Sequence, residues 1–272
     1  MLPDIQKTSP NHMIELERVG ITNFKLPITL INNSNGYQHT VASVDCFVSL
    51  SADKKGINMS RIPIGIQHFS NKVFNVSLLK EIASHIKNKS EAERCQIIYK
   101  FPYFVEKIAP SSKLQGIVYY NVVFSTTVDD ANNYKSLMSV EVVGTSNCPC
   151  SKEISMDSNG NGQGAHGQRS RIKMTIELNE SFIWIEDLIS IGEKSCSCEL
   201  YSVLKRPDEQ IVTINAYNNP KFVEDIVREC YNNIKSNLDV KNVTVEVYNE
   251  ESIHLHDAVA FKSSDSTFDI KI

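Results

Sequence analysis

The chain has 272 residues, of which 41% are hydrophobic and 22% charged, and it carries a net charge of −4. That length suits one large domain or two modules of about 100–150 residues each. The acidic balance offers no global basic field to nucleic acid, no apolar run approaches the roughly 18–20 residues of a membrane helix, and the N-terminus lacks the basic-then-apolar order of a secretion signal.

A cytoplasmic protein is the resulting expectation. Seven cysteines, an odd number in a chain this long, argue for reduced thiols rather than a disulfide framework.

Residues 1–13 read as a leader. "VGITNFKLPITLI" (19–31) and "HTVASVDCFVSL" (39–50) are β-branched, partly alternating strands around a turn-rich spacer. "DKKGINMSRIP" (53–63) reads as a polar loop hinged at Gly56. In residues 76–89, Leu78, Leu79, Ile82, His85 and Ile86 recur at helical spacing. Residues 116–128 and 134–146 alternate like the arms of a hairpin joined by "DDANN". "CPC" (148–150) falls in a loop-like stretch, followed by the Gly/Asn-rich "MDSNGNGQ" (156–163). A strand over 170–179 and a helix over 182–195 come next. The clearest helix spans 219–237, with Asn219 as a candidate N-cap, Pro220 in the first turn, and an apolar stripe of Val223, Ile226, Val227, Cys230 and Ile234. Residues 240–261 close with a strand, a polar turn and an apolar segment. The order of elements is that of an α+β protein with antiparallel hairpins.

Several stretches could carry chemistry, and each has a plainer reading. Cys148 and Cys150 are spaced wrongly for an ordinary structural zinc site, as are Cys196 and Cys198. They are either packed thiols or part of a catalytic metal site. His166 lies in a glycine-flanked polar loop with Gln168 and Arg169, where simple exposure would explain it. "LKRPDEQ" (204–210) gathers Lys205, Arg206, Asp208 and Glu209 in what reads as a charged turn; its sharper reading gives Glu209 to a metal and the bases to phosphates. Glu224, early in its helix, suits the helix dipole or the N–H edge of a purine-like ring. "EESIHLHD" (250–257) sets Glu250, Glu251, His254, His256 and Asp257 side by side, a pattern for acid–base work near neutral pH. Arg61, in "GINMSR" (56–61), is a potential phosphate ligand. Together these groups suit metal-assisted hydrolysis of an anionic, nitrogen-rich substrate.

The order "GINMSR", "TSNCPCSKEIS", "GAHGQRS", "LKRPDEQIVT", "NPKFVEDIVRE", "ESIHLHDAVAF" resembles the GTP cyclohydrolase type IB family, from about residue 14 onward. The resemblance implies a bimodular tunnelling fold, with antiparallel sheets, helices packed on one side, and barrels closed by oligomerisation. Residues 14–140 would form the first module and 141–272 the second, which would carry most of the active site. It implies conversion of GTP and water to formate and 7,8-dihydroneopterin triphosphate, the first step of tetrahydrofolate biosynthesis, in a homotetramer with active sites at subunit interfaces.

By the same resemblance, Cys148, His166 and Glu209 would hold one divalent metal per active site, whether zinc, manganese or iron(II). Glu224 would anchor guanine. Glu251 and His254, with Cys148 and Cys150 close by, would serve catalysis. Arg61, Lys152, Arg169, Lys205 and Arg206 are candidates for the triphosphate. The sequence departs from the family pattern at Asn147, at Gly167 and in the lengthened 156–163 loop, all beside the proposed metal site. Another purine- or pterin-handling enzyme of the same fold, or a non-catalytic metal or thiol-redox module, are the competing readings.

Overall fold

Alternation of buried and exposed side chains builds most of the secondary structure. The computed structural model describes residue 6 and residues 8–34, 36–157 and 159–265; most of the leader's first seven residues lie outside that set. The elements in chain order are β1 (Leu16–Ile31), β2 (Tyr37–Leu50), α1 (Arg61–Gln67), α2 (Val76–Lys89), β3 (Cys95–Ile108), β4 (Gln115–Val128) and β5 (Tyr134–Asn147). They continue with α3 (Pro149–Ile154), β6 (Gly167–Leu178), α4 (Ile185–Ser195), β7 (Cys198–Glu199), α5 (Arg206–Asn218), α6 (Val223–Asn237), β8 (Val240–Glu250) and β9 (Ala258–Ser263). The sheet runs in the order β1-β2-β3-β4-β5-β6-β8-β9, with β7 added beside β5, and its described registers are antiparallel. Among the described residues the order is linear, with β1 and β9 at its two ends.

The chain forms two compact units. The first holds residues 1–102 and 123–138, and the second holds 103–122 and 139–272. In the first unit, Val44, Cys46 and Val48 of β2 and Ile97 and Tyr99 of β3 are buried, as are Leu79, Ile82 and Ile86 of α2. Asn75 caps α2 by accepting from Leu78 N at 2.8 Å.

In the second unit, Val140 and Val142 of β5, Ile172, Met174 and Ile176 of β6, and Val243, Val245 and Val247 of β8 share the buried face. The apolar stripe expected for α6 is the buried one, and it packs on β8, β9 and α4. The stripe of the three strands turns polar at one end. Ser170 donates to Asn249 Oδ1 at 2.6 Å, and its oxygen lies 2.9 Å from Ser146 Oγ. All three residues are buried, so their bonding to one another removes the cost of unpaired polar atoms. This polar rung faces the end of the unit where the candidate site lies.

Four local expectations differ from the structure. The "CPC" stretch is not a loop: Pro149 opens α3, and the Cys148 sulfur accepts from Ser151 N at 3.4 Å as its N-cap. Asn219 does not cap α6. It closes α5, and its amide donates to the Cys196 and Ser197 carbonyls at 3.0 and 3.2 Å. The cap role at α6 is taken by Asp225, which accepts from Phe222 N at 3.1 Å. The "LKRPDEQ" run is the first turn of α5 rather than a charged turn. Asp208 is fully buried there and accepts from Lys205 N at 2.8 Å and from Ser111 and Ser112 N at 2.7 and 2.8 Å. The "GINMSRIP" segment starts α1, whose Ile62 and Ile66 are buried. A further strand, β3, lay unread between residues 95 and 108. Lys100 and Glu106 break the apolar pattern on its exposed side, and Lys107 breaks it on the inner side, where it pairs with Glu193 and Glu199.

Candidate active site

The site is built in the second unit, where the end of β5, the start of β6 and the end of β8 come together. Asn147 ends β5, and Cys148 leads at once into α3. His166 is anchored by its backbone on both sides: Cys148 N donates to His166 O at 3.1 Å, and His166 N donates to Ser151 Oγ at 3.1 Å. The chain reverses between these contacts through the 156–163 loop. Asp157 accepts from Asn159 N and Asn161 N at 2.9 and 2.8 Å, and Gly160 and Gly164 take left-handed φ values of +79° and +141°. Ser155 fastens the return, its hydroxyl donating to Gly164 O at 2.5 Å.

Register then brings distant carboxylates in. Arg169 of β6 lies opposite Glu250 of β8, so the residues flanking that pair meet. Gln168 Nε2 donates to Glu251 Oε1 at 2.5 Å. Glu251 Oε2 lies 3.9 Å from His166 Nδ1, and both atoms are buried without a hydrogen-bond partner. The two side chains are 9% and 16% exposed. Two unpartnered polar atoms facing each other in a nearly dry place are costly unless something sits between them.

The other candidate residues are distributed as follows. Cys148 is half-buried beside His166, Cys150 is exposed on α3, and both thiols are free. Lys152 extends along α5, donating to Tyr217 O at 2.8 Å with its ammonium 4.5 Å from the Tyr217 ring centre. Glu209 is exposed in the first turn of α5, and Glu224 is exposed in the first turn of α6. Arg169, Lys205 and Arg206 are exposed. His254 and His256 are exposed in the loop after β8, their rings stacked 5.1 Å apart at 11°. Arg61 belongs to the first unit, where it donates to Lys89 O at 2.7 Å and lies 3.6 Å from Glu91.

His166, Gln168 and Glu251 are therefore gathered by their side chains, Cys148 joins them through its backbone bond to His166, and the Lys152 ammonium turns to Tyr217 of α5 instead. Among the described residues no group of three His, Cys, Asp or Glu side chains is arranged to hold a metal ion.

Of this cluster, Ser151 was missed by the sequence reading, and Gln168 was noted beside His166 without a role. Gln168 had a signal: it shares the period-2 face of Ser170, Ile172 and Met174, where a polar side chain needs a partner. In the second cysteine pair the first thiol is packed and Cys198 is half-buried. Cys196 is buried against Gly144, where an added Cβ would lie 2.1 Å from its sulfur, and burial pushes its thiol pKa well up. Cys196 and Cys198 line a cavity of about 490 Å³ with Glu193, Ser197 and Asn219. Ser197 connects it to the site by accepting from Asn147 N at 3.1 Å.

The donor chemistry suits a divalent cation. An imidazole nitrogen and a carboxylate oxygen are both donors that such an ion accepts, and the half-buried thiol belongs to Cys148, whose N–H bonds the His166 carbonyl. No helix among the described residues is long and apolar enough to cross a membrane.

Comparison with known proteins agrees with the order of motifs. Residues 2–260 match the family model described as type I GTP cyclohydrolase folE2. A GTP cyclohydrolase FolE2 of Magnetococcus marinus is 38% identical over 260 residues, 96% of this chain and 95% of that protein. One of Nitrosomonas eutropha is 39% identical over 264 residues, covering 97% and 96%. Among solved structures, a hyperthermostable variant of the Bacillus sp. TB-90 urate oxidase aligns with a TM-score of 0.50 at 9% identity, over 91% of this chain and 99% of that one. A uricase from Bacillus fastidious aligns with a TM-score of 0.50 at 8% identity, over 91% and 92%. At such identities the likeness concerns the fold alone, which is the antiparallel tunnelling fold. A sequence match along almost the whole chain, joined to this fold and this cluster, makes the chain a member of the type I GTP cyclohydrolase folE2 family.

Proposed function

We infer that the protein hydrolyses and rearranges GTP to formate and 7,8-dihydroneopterin triphosphate, with one divalent metal ion in each active site. The observation that carries this reading is the buried, unpartnered pair of His166 Nδ1 and Glu251 Oε2, an arrangement that a cation would complete. In this reading His166 holds the ion together with Cys148. Glu251 stands within reach of the same place, and Glu209, exposed on α5, is the remaining candidate ligand. A metal ion so held supplies Lewis acidity and lowers the pKa of nearby water.

The chain's own groups do the rest. Glu224 accepts the paired N–H groups of the guanine edge and fixes the ring. Its place in the first turn of α6 suits a carboxylate, whose negative charge the helix dipole favours there. Glu251 and His254 take and return protons as the ring opens and formate leaves, with the Cys150 thiol close to the chemistry. Lys152, Arg169, Lys205 and Arg206 answer the triphosphate, and Arg61, which belongs to the first unit, would do so from a neighbouring subunit. In the tetramer proposed for the family, the exposed members of this set are completed by residues of a neighbouring subunit.

The test is direct. The purified protein is incubated with GTP, with and without added zinc, manganese or iron(II), and assayed for formate and for a fluorescent pterin after oxidation. Metal-dependent release of both supports the reading. A folded protein that releases neither with any of the three metals refutes it.

A further inference from the structure

We propose that Gln168 is a positioning residue for Glu251, holding its carboxylate so that one oxygen faces His166 and the cation placed there. This rests on the metal-site reading above and assigns a role to a residue outside the candidate ligand set.

Glu251 is the first residue beyond β8, where a side chain would ordinarily turn among rotamers. Here Gln168 Nε2 donates to Oε1 at 2.5 Å, which leaves Oε2 directed at His166 Nδ1, 3.9 Å away. The backbone of Gln168 is itself held: Thr145 Oγ1 of β5 donates to its main-chain carbonyl at 3.3 Å, and two residues on, Ser170 joins Ser146 and Asn249 in the buried polar rung. The side-chain Oε1 is buried without a partner, so among the described residues the amide's one bond is the one to Glu251. The clamp thus spans β5, β6 and β8.

The residue type matters. A lysine or arginine here would orient the carboxylate but would also neutralise it. A glutamine amide donates a hydrogen bond and leaves the full negative charge for a cation. Outer-shell partners of this kind typically contribute about 10- to 100-fold in metal affinity.

The experiment is a double-mutant cycle read in metal affinity. Metal-free wild type, Gln168→Leu, Glu251→Gln and the double variant are titrated with Mn²⁺ alone and with Zn²⁺ alone, in competition with a chromophoric chelator. Thermal melting checks each fold. The expected result is that Gln168→Leu weakens binding about 10- to 100-fold, while the double variant binds no more weakly than Glu251→Gln.

Independent, additive losses overturn the proposal, because they show that Gln168 does not act through Glu251. Unchanged affinity in Gln168→Leu overturns it too, as does a wild type that binds neither ion. Should Gln168→Leu fail to fold, Gln168→Asn, whose amide falls one methylene short, enters the same cycle with the same criteria. A wild type that binds metal and follows the cycle, yet leaves GTP intact, upholds Gln168 and refutes the cyclohydrolase reading.

Discussion

Asp208 stands in sequence between Pro207 and Glu209, inside a run of charges, yet it is fully buried. Burial opposes its ionisation. The hydrogen bonds from Ser112, Lys205 and Ser111 outweigh that, and they hold its carboxyl well below the usual carboxylate range. The folded protein therefore keeps Asp208 ionised at a pH where the unfolded chain takes up a proton, near about 3.9. Its stabilising contribution is complete above that pH and is lost as the pH falls further, toward the folded value. Asp208→Asn is expected to lower the Tm by several degrees at neutral pH, with a gap from wild type that narrows below about pH 4. Melts across that range would show a constant gap if the charge had no part. Glu224 poses the opposite case, an exposed carboxylate given a specific partner only by the proposed substrate. Glu224→Ala should reduce kcat/KM for GTP on the order of 100-fold or more while retaining metal, as measured by steady-state kinetics and metal analysis. Unaltered turnover would leave Glu224 only its dipole role.

At the scale of elements, helix α4 shows why a glycine belongs in a helix interior. A Cβ on Gly192 would lie 2.8 Å from Met174 Cε and 2.9 Å from Val142 Cβ, so α4 sits on β5 and β6 with no room for a methyl group. On an exposed helix Gly→Ala stabilises by about 0.5–1 kcal/mol. Here overpacking is expected to reverse the sign, with Gly192→Ala destabilising by about 1–3 kcal/mol. Denaturant unfolding decides it, and a stabilised variant would refute the close-packing argument. The helices most legible in sequence were α2 and α6, whose apolar stripes are complete. Helix α5 was not legible, because its buried side consists of Asp208 and Ala216, which form no apolar stripe. Asn219 was misassigned for a related reason. Asn-Pro reads as a helix start, and nothing local reveals that the amide is engaged by the Cys196 and Ser197 carbonyls.

For the whole molecule, the linear strand order leaves β1 and β9 as edges of the sheet. Strand β9 exposes Val259 at 54%. An unprotected apolar edge invites pairing with another chain, which agrees with the homotetramer proposed for this family. The expectation is that sedimentation equilibrium gives a tetramer, and that Val259→Lys shifts the protein to smaller species without loss of β-structure by circular dichroism. A wild-type monomer at micromolar concentration would refute the closed-barrel reading.

The sequence by itself determined the α+β class, strands β1, β2, β4, β5, β6 and β8, helices α2, α4 and α6, and the identity and order of the chemical groups. Each of these depends on residues a few positions apart, through the periods of 2 and 3.6 and through short motifs. Only the tertiary structure decided which groups meet. Cys148, His166, Gln168 and Glu251 are up to 103 positions apart, and they converge because the register of β6 against β8 sets Arg169 opposite Glu250. It also decided that Asp208 is a buried cap, that Cys196 is a packed thiol and that Gln168 holds a carboxylate. Burial and hydrogen-bond partners are properties of the neighbours that folding brings in, and the local sequence around these residues does not contain them.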